Sequence, residues 1–286
     1  MSEHNITVVK ANGKTEPFSE QKIYHSLERA HVPKEYQHEI VDDLVRSLGD
    51  RISSKDIFDH IKQYFHNTKP QLFAKYNLKM AIMQLGPSGY PFERYVGALL
   101  QHYGYNCRVS QVVMGKCVSH EVDVLADKGD EHYIVECKFH NQPGSRSDVK
   151  VSLYIKARFD DILDRLQLSQ GSTFDPKTYH GWLVTNTKCT SDALQYAQCA
   201  NINVVGWNYP EKGNLQDMVE EAGLYPVTAL SSISQSHKEL LLSKNIVLAR
   251  ELLQDEGTLS ELHLAEDERK QLDAELAALF TGHGTP

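Results

Sequence analysis

Hydrophobic positions in the first 88 residues follow the period of a short strand and then that of helices. Residues 6–10 alternate as a strand does, Asn12-Gly13 is typical of a hairpin turn, and a second strand is expected to end at Phe18. Ser19 is predicted to cap the helix that follows. Four helices are expected here: one carrying Ile23, Leu27 and Ala30, one over 35–48, one beginning at Ser53-Ser54 and carrying Ile57, Ile61 and Phe65, and one over 71–85.

The middle of the chain alternates between helical and strand patterns. Pro91 suits the first turn of a helix, and the apolar stripe of that helix comprises Phe92, Val96, Leu99 and Tyr103. Strand-like alternation follows around Val122 and again over 133–140. The later elements are a helix with Ile155, Phe159, Ile162 and Leu166 as its apolar positions, a strand over 181–186, a helix over 191–199 and a strand over 204–207. This order predicts a central mixed β-sheet flanked by helices.

The last part of the chain is predicted to be helical. Apolar residues of two helices lie on either side of Lys244-Asn245, and a third helix is expected over 266–280. The composition of Gly86-Pro87-Ser88-Gly89 favours a hinge. The chain is therefore predicted to be an α/β protein of several domains (α+β overall), with domains at 1–88, 89–225 and 226–286.

Three reactive side chains are expected to meet in the central sheet. Glu136 and Lys138 lie two residues apart on one strand, so they share a face at a distance of about 7 Å. Asp123 joins them if its strand pairs with theirs through a turn over 127–130. Two carboxylates bind a hard cation such as Mg²⁺, and a neighbouring lysine orients water or stabilises charge on a phosphorane. The set favours metal-dependent phosphodiester hydrolysis, although a single acid on a strand is commonly a solvated surface group.

This segment resembles the PD-(D/E)xK nuclease superfamily, most closely its Mrr-type restriction endonucleases and the archaeal-type Holliday-junction resolvases. The resemblance makes Asp123 the motif aspartate and Glu136-Cys137-Lys138 the E-x-K element, with Val122 where the motif proline stands. It implies that Asp123, Glu136 and the main-chain carbonyl of Cys137 bind Mg²⁺ or Mn²⁺. It also assigns the positioning of water to Lys138, and the support of a second metal or of that water to Glu93. An acid such as Glu93 in a first helical turn is favoured by the helix dipole as well.

The N-terminal segment resembles the ATP-cone, the regulatory nucleotide-binding module of ribonucleotide reductases and of their transcriptional repressor. The matching residues are Lys10, Gly13, Glu16, Phe18, Lys22 and Ile23, and Ala74, Tyr76 and Lys79 correspond to the closing part of the pattern. Ala11, Asn12 and Ser19 depart from it, which removes an arginine and two aspartates. The resemblance implies an allosteric sensor of ATP or dATP, without hydrolysis, whose occupancy changes the oligomeric state. The nucleotide is expected to bind at Val9, Lys10, Asn12, Gly13, Lys14, Glu16 and Lys22. A small α+β domain without a ligand is the alternative.

The negative charge is concentrated at one end of the chain. The formal net charge is −8, and residues 251–286 carry nine acids against Arg269 and Lys270, so the rest of the chain is close to neutral. A basic strip of Arg146, Lys150, Lys156 and Arg158 follows the E-x-K strand and is predicted to contact DNA phosphates. An ordinary solvated helix face is the competing interpretation. The acidic C-terminal segment is expected to contact protein.

The remaining signals concern location and the C-terminal segment. Five cysteines at 107, 117, 137, 189 and 199 form no C-x-x-C pair, which is typical of reduced thiols in a cytoplasmic protein. We expect no membrane span, because no apolar run approaches about 18 residues. Residues 226–286 weakly resemble a helix-hairpin-helix domain, with Asn245 and His263 at the positions of the hairpin glycines.

The residue patterns and the two family resemblances together imply a Mg²⁺- or Mn²⁺-dependent DNA endonuclease, regulated by ATP or dATP and acting as a homo-oligomer in restriction of foreign DNA or in DNA processing. Two alternatives stay open. One is a nucleotide-responsive DNA-binding regulator without catalysis, and the other is an RNA-processing nuclease. DNA is the expected substrate, an adenine nucleotide the expected ligand, and no membrane partner is expected.

Overall fold

The computed structural model describes residues 6–10, 13–30, 32–68, 73 and 76–280. Expectations that concern Asn12, Ala74 or the start of the helix over 71–85 therefore lie outside the described residues. The chain forms two compact units. One comprises Met1–Ala81, Thr228–Lys238 and Ala249–Pro286, and the other comprises Ile82–Val227 and Glu239–Leu248. The segment 226–286, predicted as one helical module, is thus divided between the two units.

A three-stranded sheet opens the first unit. Strand β1 (Thr7–Val9) pairs antiparallel with β2 (Thr15–Pro17) and parallel with β3 (Arg51–Ser53). The tight turn between β1 and β2 places Gly13 at φ 78°, in the left-handed region. Strand β3 was absent from the sequence prediction. It is three residues long and contains one apolar residue, Ile52, so it offers no alternation to detect.

Helices pack against this sheet around an apolar core. Their bounds are α1 Glu20–Arg29, α2 Lys34–Ser47 and α3 Ser54–Thr68. A short helix, α4 (Leu78–Met83), contains the chain boundary between the two units, after Ala81. Leu27, Ile40, Leu44, Ile61 and Phe65 are fully buried in the core, as the helical period predicts. Ser19 precedes α1, but its side chain makes no capping hydrogen bond, so the predicted cap is wrong in that detail.

The second unit is organised by a five-stranded sheet in the order β10-β8-β6-β5-β4. The strands are β4 Asn106–Met114, β5 Ser119–Lys128, β6 Glu131–Lys138, β8 Tyr179–Thr185 and β10 Ile202–Val205. Strands β4, β5 and β6 are antiparallel neighbours, whereas β6, β8 and β10 run parallel. The predicted mixed sheet flanked by helices is confirmed. A small parallel pair, β7 (Arg146–Ser147) with β9 (Lys188–Cys189), was not predicted, because two residues carry no period.

Two helices, α5 (Tyr90–His102) and α6 (Val149–Gln170), cover opposite faces of the sheet. A Cβ at Gly97 of α5 would lie 2.8 Å from Val109, which is in register with Val124 and, through it, with Val135. Ile134 packs in the core that contains Phe159 of α6. Neighbouring strand residues point to opposite faces, so α5 and α6 do too. Helix α7 (Ser191–Cys199) lies beside α6, and α8 (Leu215–Ala222) follows β10 in the chain.

Asp161 of α6 holds the turn between β4 and β5. Its carboxylate accepts hydrogen bonds from the N–H groups of Cys117 (2.8 Å) and Val118 (3.3 Å), and lies 2.7 Å from Nε2 of His120. These contacts bring the pKa of Asp161 far below its usual value, with the His120 bond as the largest cause. A Cβ at Gly115 would lie 2.1 Å from Oδ2 of Asp161, so only glycine fits there.

The C-terminal elements are helical. They are α9 (Gln235–Ser243), α10 (Glu256–Glu261) and α11 (Glu266–Phe280), with short 3₁₀ segments at Val227–Ala229 and Ala249–Leu253. The second helix predicted beyond Lys244-Asn245 is thus a 3₁₀ turn. Asn245 (φ 64°) and His263 (φ 49°), predicted to stand at the hairpin glycine positions, both adopt left-handed backbone. No helix in the described part of the chain is both long enough and apolar enough to cross a membrane.

Candidate active site

Asp123 lies where the hydrogen-bond ladder of the sheet is interrupted. Pairing between β5 and β6 ends at Val124 with Val135, and the register between β4 and β5 skips Ser110 and Asp123. Ser110 has φ 53°, a left-handed conformation that is uncommon outside glycine, and one residue is skipped on each strand, so the register is the same on both sides of the gap. In the gap, Oδ2 of Asp123 accepts a 2.6 Å hydrogen bond from the N–H of Cys137. The carbonyl of Cys137 points to the same side of β6 as its N–H, towards this gap.

Glu93 reaches the site from the first turn of α5. Its Oε2 accepts a hydrogen bond from the hydroxyl of Ser110 at 3.2 Å, so this bond connects the helix to the gap in the strand ladder. Burial raises the pKa of Glu93 to about 7, and repulsion from Asp123 adds to this effect. Glu93 therefore lies close enough to Asp123 for the two carboxylates to oppose each other's ionisation.

Glu136 belongs to the same group of acids. Burial raises its pKa to about 7, with further repulsion from Asp123 and Glu93, while the charges of Arg158 and Lys138 act in the opposite direction. Burial likewise raises the pKa of Asp123, and the charges of Arg158 and Lys138 oppose that rise as well. The structure thus brings together all four residues predicted to carry the chemistry.

Arg158 of α6 lies inside this site, although the sequence placed it in an exposed basic strip. Its guanidinium donates to the carboxylate of Glu136, to the carbonyl of Glu121 at 2.7 Å and to the hydroxyl of Tyr154. The side chain is 12% exposed. A helix position three residues after Ile155 and four before Ile162 belongs to the inward stripe, so helical periodicity contained a signal for this placement.

Buried polar residues fix the chain just after the E-x-K element. The hydroxyl of Thr185 donates to the carbonyl of Lys138 at 2.7 Å. The side-chain amide of Asn186 donates to the carbonyl of His140 at 2.7 Å and accepts from its N–H at 2.9 Å. Both Thr185 and Asn186 are fully buried. Lys138 itself is exposed, so the backbone is held while the amine reaches solvent.

The donor chemistry of this site fits a hard divalent cation. Burial raises the pKa of both Asp123 and Glu136, and a bound cation stabilises such desolvated carboxylates. Mg²⁺ is held by one or two carboxylates with several waters. Within the described residues, no three His, Cys, Asp or Glu side chains are grouped to hold an ion by themselves. A cation site made of two carboxylates, the carbonyl of Cys137 and water needs only two such side chains, so it is consistent with this observation.

The rest of the predicted basic strip lies on the surface of the same unit. Arg146 and Lys150 are exposed, whereas Lys156 forms an ion pair with Asp160 one turn further along α6. Strand pairing between β7 and β9 places Arg146 in register with Lys188, which is also exposed. Lys188 was not predicted, because it is 42 residues from Arg146 in the sequence and the strands that join them are too short to recognise.

In the first unit, the predicted nucleotide-binding residues surround the β1–β2 hairpin. Lys10 and Lys22 both form ion pairs with Glu16, at 2.6 Å and 2.9 Å. Hydrogen bonds from the two lysines lower the pKa of Glu16. Val9 ends β1, and Lys14 is exposed between Gly13 and β2. The described part of the predicted set therefore lies on one small hairpin and the start of α1.

Three family models match successive parts of the chain. They are described as ATP cone domain (residues 6–78), restriction endonuclease (86–156) and AF1548-like, C-terminal (225–280). The resemblances to the ATP-cone and to Mrr-type nucleases are confirmed. The C-terminal segment, which weakly resembled a helix-hairpin-helix domain in sequence, matches the AF1548-like model.

A curated sequence and a solved structure are similar to this chain, and neither has a described function. An uncharacterised protein of Archaeoglobus fulgidus is 34% identical over 178 residues, which are 62% of this chain and 95% of that protein. The crystal structure of a protein of unknown function, AF1548, is 31% identical and superposes with a TM-score of 0.55 over 68% of this chain and all of that one. The chain therefore belongs to the family of AF1548-like proteins, and it carries an ATP cone domain and a restriction endonuclease domain.

Proposed function

We propose that this protein is a Mg²⁺- or Mn²⁺-dependent endodeoxyribonuclease that ATP or dATP regulates through the ATP cone domain. It acts as a homo-oligomer in the cytoplasm, in restriction of foreign DNA or in DNA processing. The observation that carries the proposal is the meeting of Glu93, Asp123, Glu136 and Lys138 at the interrupted edge between β5 and β6. The five free cysteines agree with a reducing compartment.

The roles follow from the position of each group. Asp123, Glu136 and the carbonyl of Cys137 hold the cation, which when bound supplies a Lewis acid and a water of lowered pKa. Lys138, exposed beside the carboxylates, orients the attacking water and stabilises charge on the phosphate. Glu93, hydrogen-bonded to Ser110, supports that water or a second cation.

DNA phosphates bind the exposed cations of the nuclease unit. Arg146 and Lys188, which are neighbours across β7 and β9, and Lys150 at the start of α6 are accessible for this purpose. Each phosphate contact releases counterions, so binding weakens as salt rises. The net charge of −8 does not oppose this, because most of the excess acid lies after Arg250.

The adenine nucleotide binds at the hairpin of the ATP cone domain, where Lys10, Lys14 and Lys22 neutralise its phosphates. Glu16 forms ion pairs with Lys10 and Lys22, so phosphate binding exchanges one anionic partner of these lysines for another. Regulation requires that the nucleotide bind the active and inactive states with different affinities. A change in oligomeric state supplies two such states.

The decisive experiment is a plasmid-cleavage assay with and without Mg²⁺ or Mn²⁺, across concentrations of ATP and dATP. We expect metal-dependent cutting by the wild type and none by Asp123→Ala or Lys138→Ala. Asp127→Asn is the matched control, because Asp127 lies on the same strand but pairs with Arg108 and His132. Cutting that survives both active-site changes contradicts the assignment.

The same assay separates the alternative functions. Duplex DNA, single-stranded DNA and RNA are digested side by side, and preferred cutting of RNA indicates an RNA-processing nuclease. A regulator without catalysis binds DNA in response to nucleotide but leaves it intact at every metal concentration.

A further inference from the structure

Arg158 makes an unusual set of contacts for a residue on a helix surface. It donates to the Glu136 carboxylate, to the backbone carbonyl of Glu121 and to the hydroxyl of Tyr154, and its guanidinium carbon lies 4.6 Å from the centroid of the Tyr154 ring. The side chains of Arg158 and Glu136 are 12% and 19% exposed. The ion pair is therefore largely desolvated, which makes each of its charges depend on the other.

The position of this ion pair conflicts with the proposed use of Glu136. Oε2 of Glu136 accepts from the guanidinium of Arg158, so a cation that binds this carboxylate competes with Arg158, which also repels a cation bound beside it. Within the described residues, the buried Nε of Arg158 has no hydrogen-bond partner, so the guanidinium is only partly satisfied in this position. Tyr154, which accepts a hydrogen bond from Arg158, is 56% exposed, so this contact of Arg158 lies on the solvent side of the site.

We propose that Arg158 is a built-in counter-ion that occupies Glu136 until a divalent cation displaces it, after which the released guanidinium binds the phosphodiester. This inference rests on the proposed nuclease function and names an additional phosphate-binding residue for it. The displacement breaks the ion pair of Arg158 with Glu136, and Glu136 then pairs with the added divalent cation. The released guanidinium pairs with the single negative charge of the phosphodiester when DNA is bound. Arg158 is suited to the second task, because its planar donors match phosphate oxygens in pairs.

A permanent structural ion pair makes the opposite prediction. If Arg158 only fastens α6 to β6, removing it disturbs Glu136 and leaves metal affinity unchanged or weaker. If Arg158 competes with the cation, removing it makes the cation bind more tightly. The sign of the change in metal affinity therefore distinguishes the two roles.

The test measures Mn²⁺ binding to the full-length protein by isothermal titration calorimetry in the absence of DNA. We expect Arg158→Met to lower the Kd for Mn²⁺ by about tenfold or more, in line with the loss of a competing charge-assisted hydrogen bond. Arg158→Gln, which keeps a polar side chain, serves as a second variant if Arg158→Met does not fold. Arg165→Met is the matched control, because Arg165 lies two turns further along α6 and is exposed, and its Kd is expected to equal that of the wild type.

Plasmid cleavage supplies the second readout. The variants at Arg158 are expected to reach half-maximal activity at lower metal concentration, with a maximal rate about 100-fold below that of the wild type, as for loss of a phosphate-stabilising donor. An unchanged or higher Kd for Mn²⁺ in folded Arg158 variants overturns the inference, even if the wild type cuts DNA. If the variants bind Mn²⁺ more tightly but the wild type cuts nothing, the nuclease proposal fails and the counter-ion role stands. If neither protein binds Mn²⁺, both fail.

Discussion

Asp123 accepts a 2.6 Å hydrogen bond from the backbone N–H of Cys137, the residue between Glu136 and Lys138. A side-chain oxygen thereby takes the place of the backbone acceptor that a regular antiparallel pair would supply. The bond keeps β5 and β6 together where their ladder stops. Asp123 consequently has a structural role in addition to its proposed role as a metal ligand, and substitutions can separate the two.

Asp123→Asn should preserve the fold, whereas Asp123→Ala should weaken it. The amide oxygen of asparagine can still accept from Cys137, but alanine leaves that buried N–H unpaired at a cost of about 1–3 kcal/mol. Urea unfolding followed by tryptophan fluorescence reports this unit selectively, because Trp182 and Trp207 both belong to it. Equal free energies of unfolding for the two variants contradict the structural role.

Glu93→Gln should stabilise the protein at pH 8 and have little effect near pH 4.5. The folded pKa of Glu93 is raised from 4.5 to about 7, so ionisation costs stability progressively as the pH rises through that window. Removing the charge recovers about 1–2 kcal/mol above pH 7, because one pKa unit corresponds to about 1.4 kcal/mol and solvent screening at this half-buried site reduces the full value. Unfolding free energies of both proteins at the two pH values provide the measurement. A difference independent of pH means that desolvation of this acid is not the cause.

Asn186→Ala should lower the free energy of unfolding of the nuclease unit by about 1–3 kcal/mol, because it leaves the partly buried N–H and C=O of His140 without their side-chain partner. Asn203→Ala, at an exposed position on β10, is the control and is expected to stay within about 0.5 kcal/mol of the wild type. Cleavage at temperatures where Asn186→Ala remains folded should also fall, since the backbone that follows Lys138 is no longer held. A neutral effect of Asn186→Ala argues against this account.

Lys22→Ala should weaken binding of a fluorescent ATP analogue by about tenfold, the effect of losing one charge-assisted hydrogen bond. Lys34→Ala, at the exposed start of α2, should leave the affinity unchanged. Titrations of the full-length variants give the comparison. If both lysine variants bind as the wild type does, the nucleotide does not use this hairpin.

His263→Gly should raise the thermal stability of the protein. His263 has φ 49°, and a left-handed conformation costs a residue with a side chain about 1–2 kcal/mol, part of which glycine recovers. Asn245→Gly (φ 64°) should gain less, because asparagine tolerates this region. Melting followed by circular dichroism compares the two. A lower melting temperature for His263→Gly shows that the imidazole contributes contacts that outweigh the strain.

Local sequence patterns predict the helices and strands of this fold better than the contacts between residues that are distant in sequence. Helix α7 begins and ends where predicted, at Ser191 and Cys199, because Thr190 caps it with a side-chain bond and its apolar period is regular. The glutamate and the lysine of the E-x-K element are recognisable because they are two residues apart on one strand. The ion pair of Arg158 with Glu136 joins residues 22 apart, and the left-handed backbone of Ser110 has no local sequence signal. Both depend on how a helix and three strands pack, which no single segment specifies.

The hydrogen bonds between Asp161 and the β4–β5 turn determine where a tag or label can be inserted. Turns at strand ends normally accept inserted tags or reporter domains, because few bonds hold them. Residues 115–118 form an exception, since the carboxylate on α6 receives two main-chain bonds there and the backbone N–H of Lys116 donates to the carbonyl of Asp161 at 2.9 Å. An insertion there would detach the hairpin from the helix that carries Arg158. The Gly129-Asp130 turn between β5 and β6 is the better position for a label.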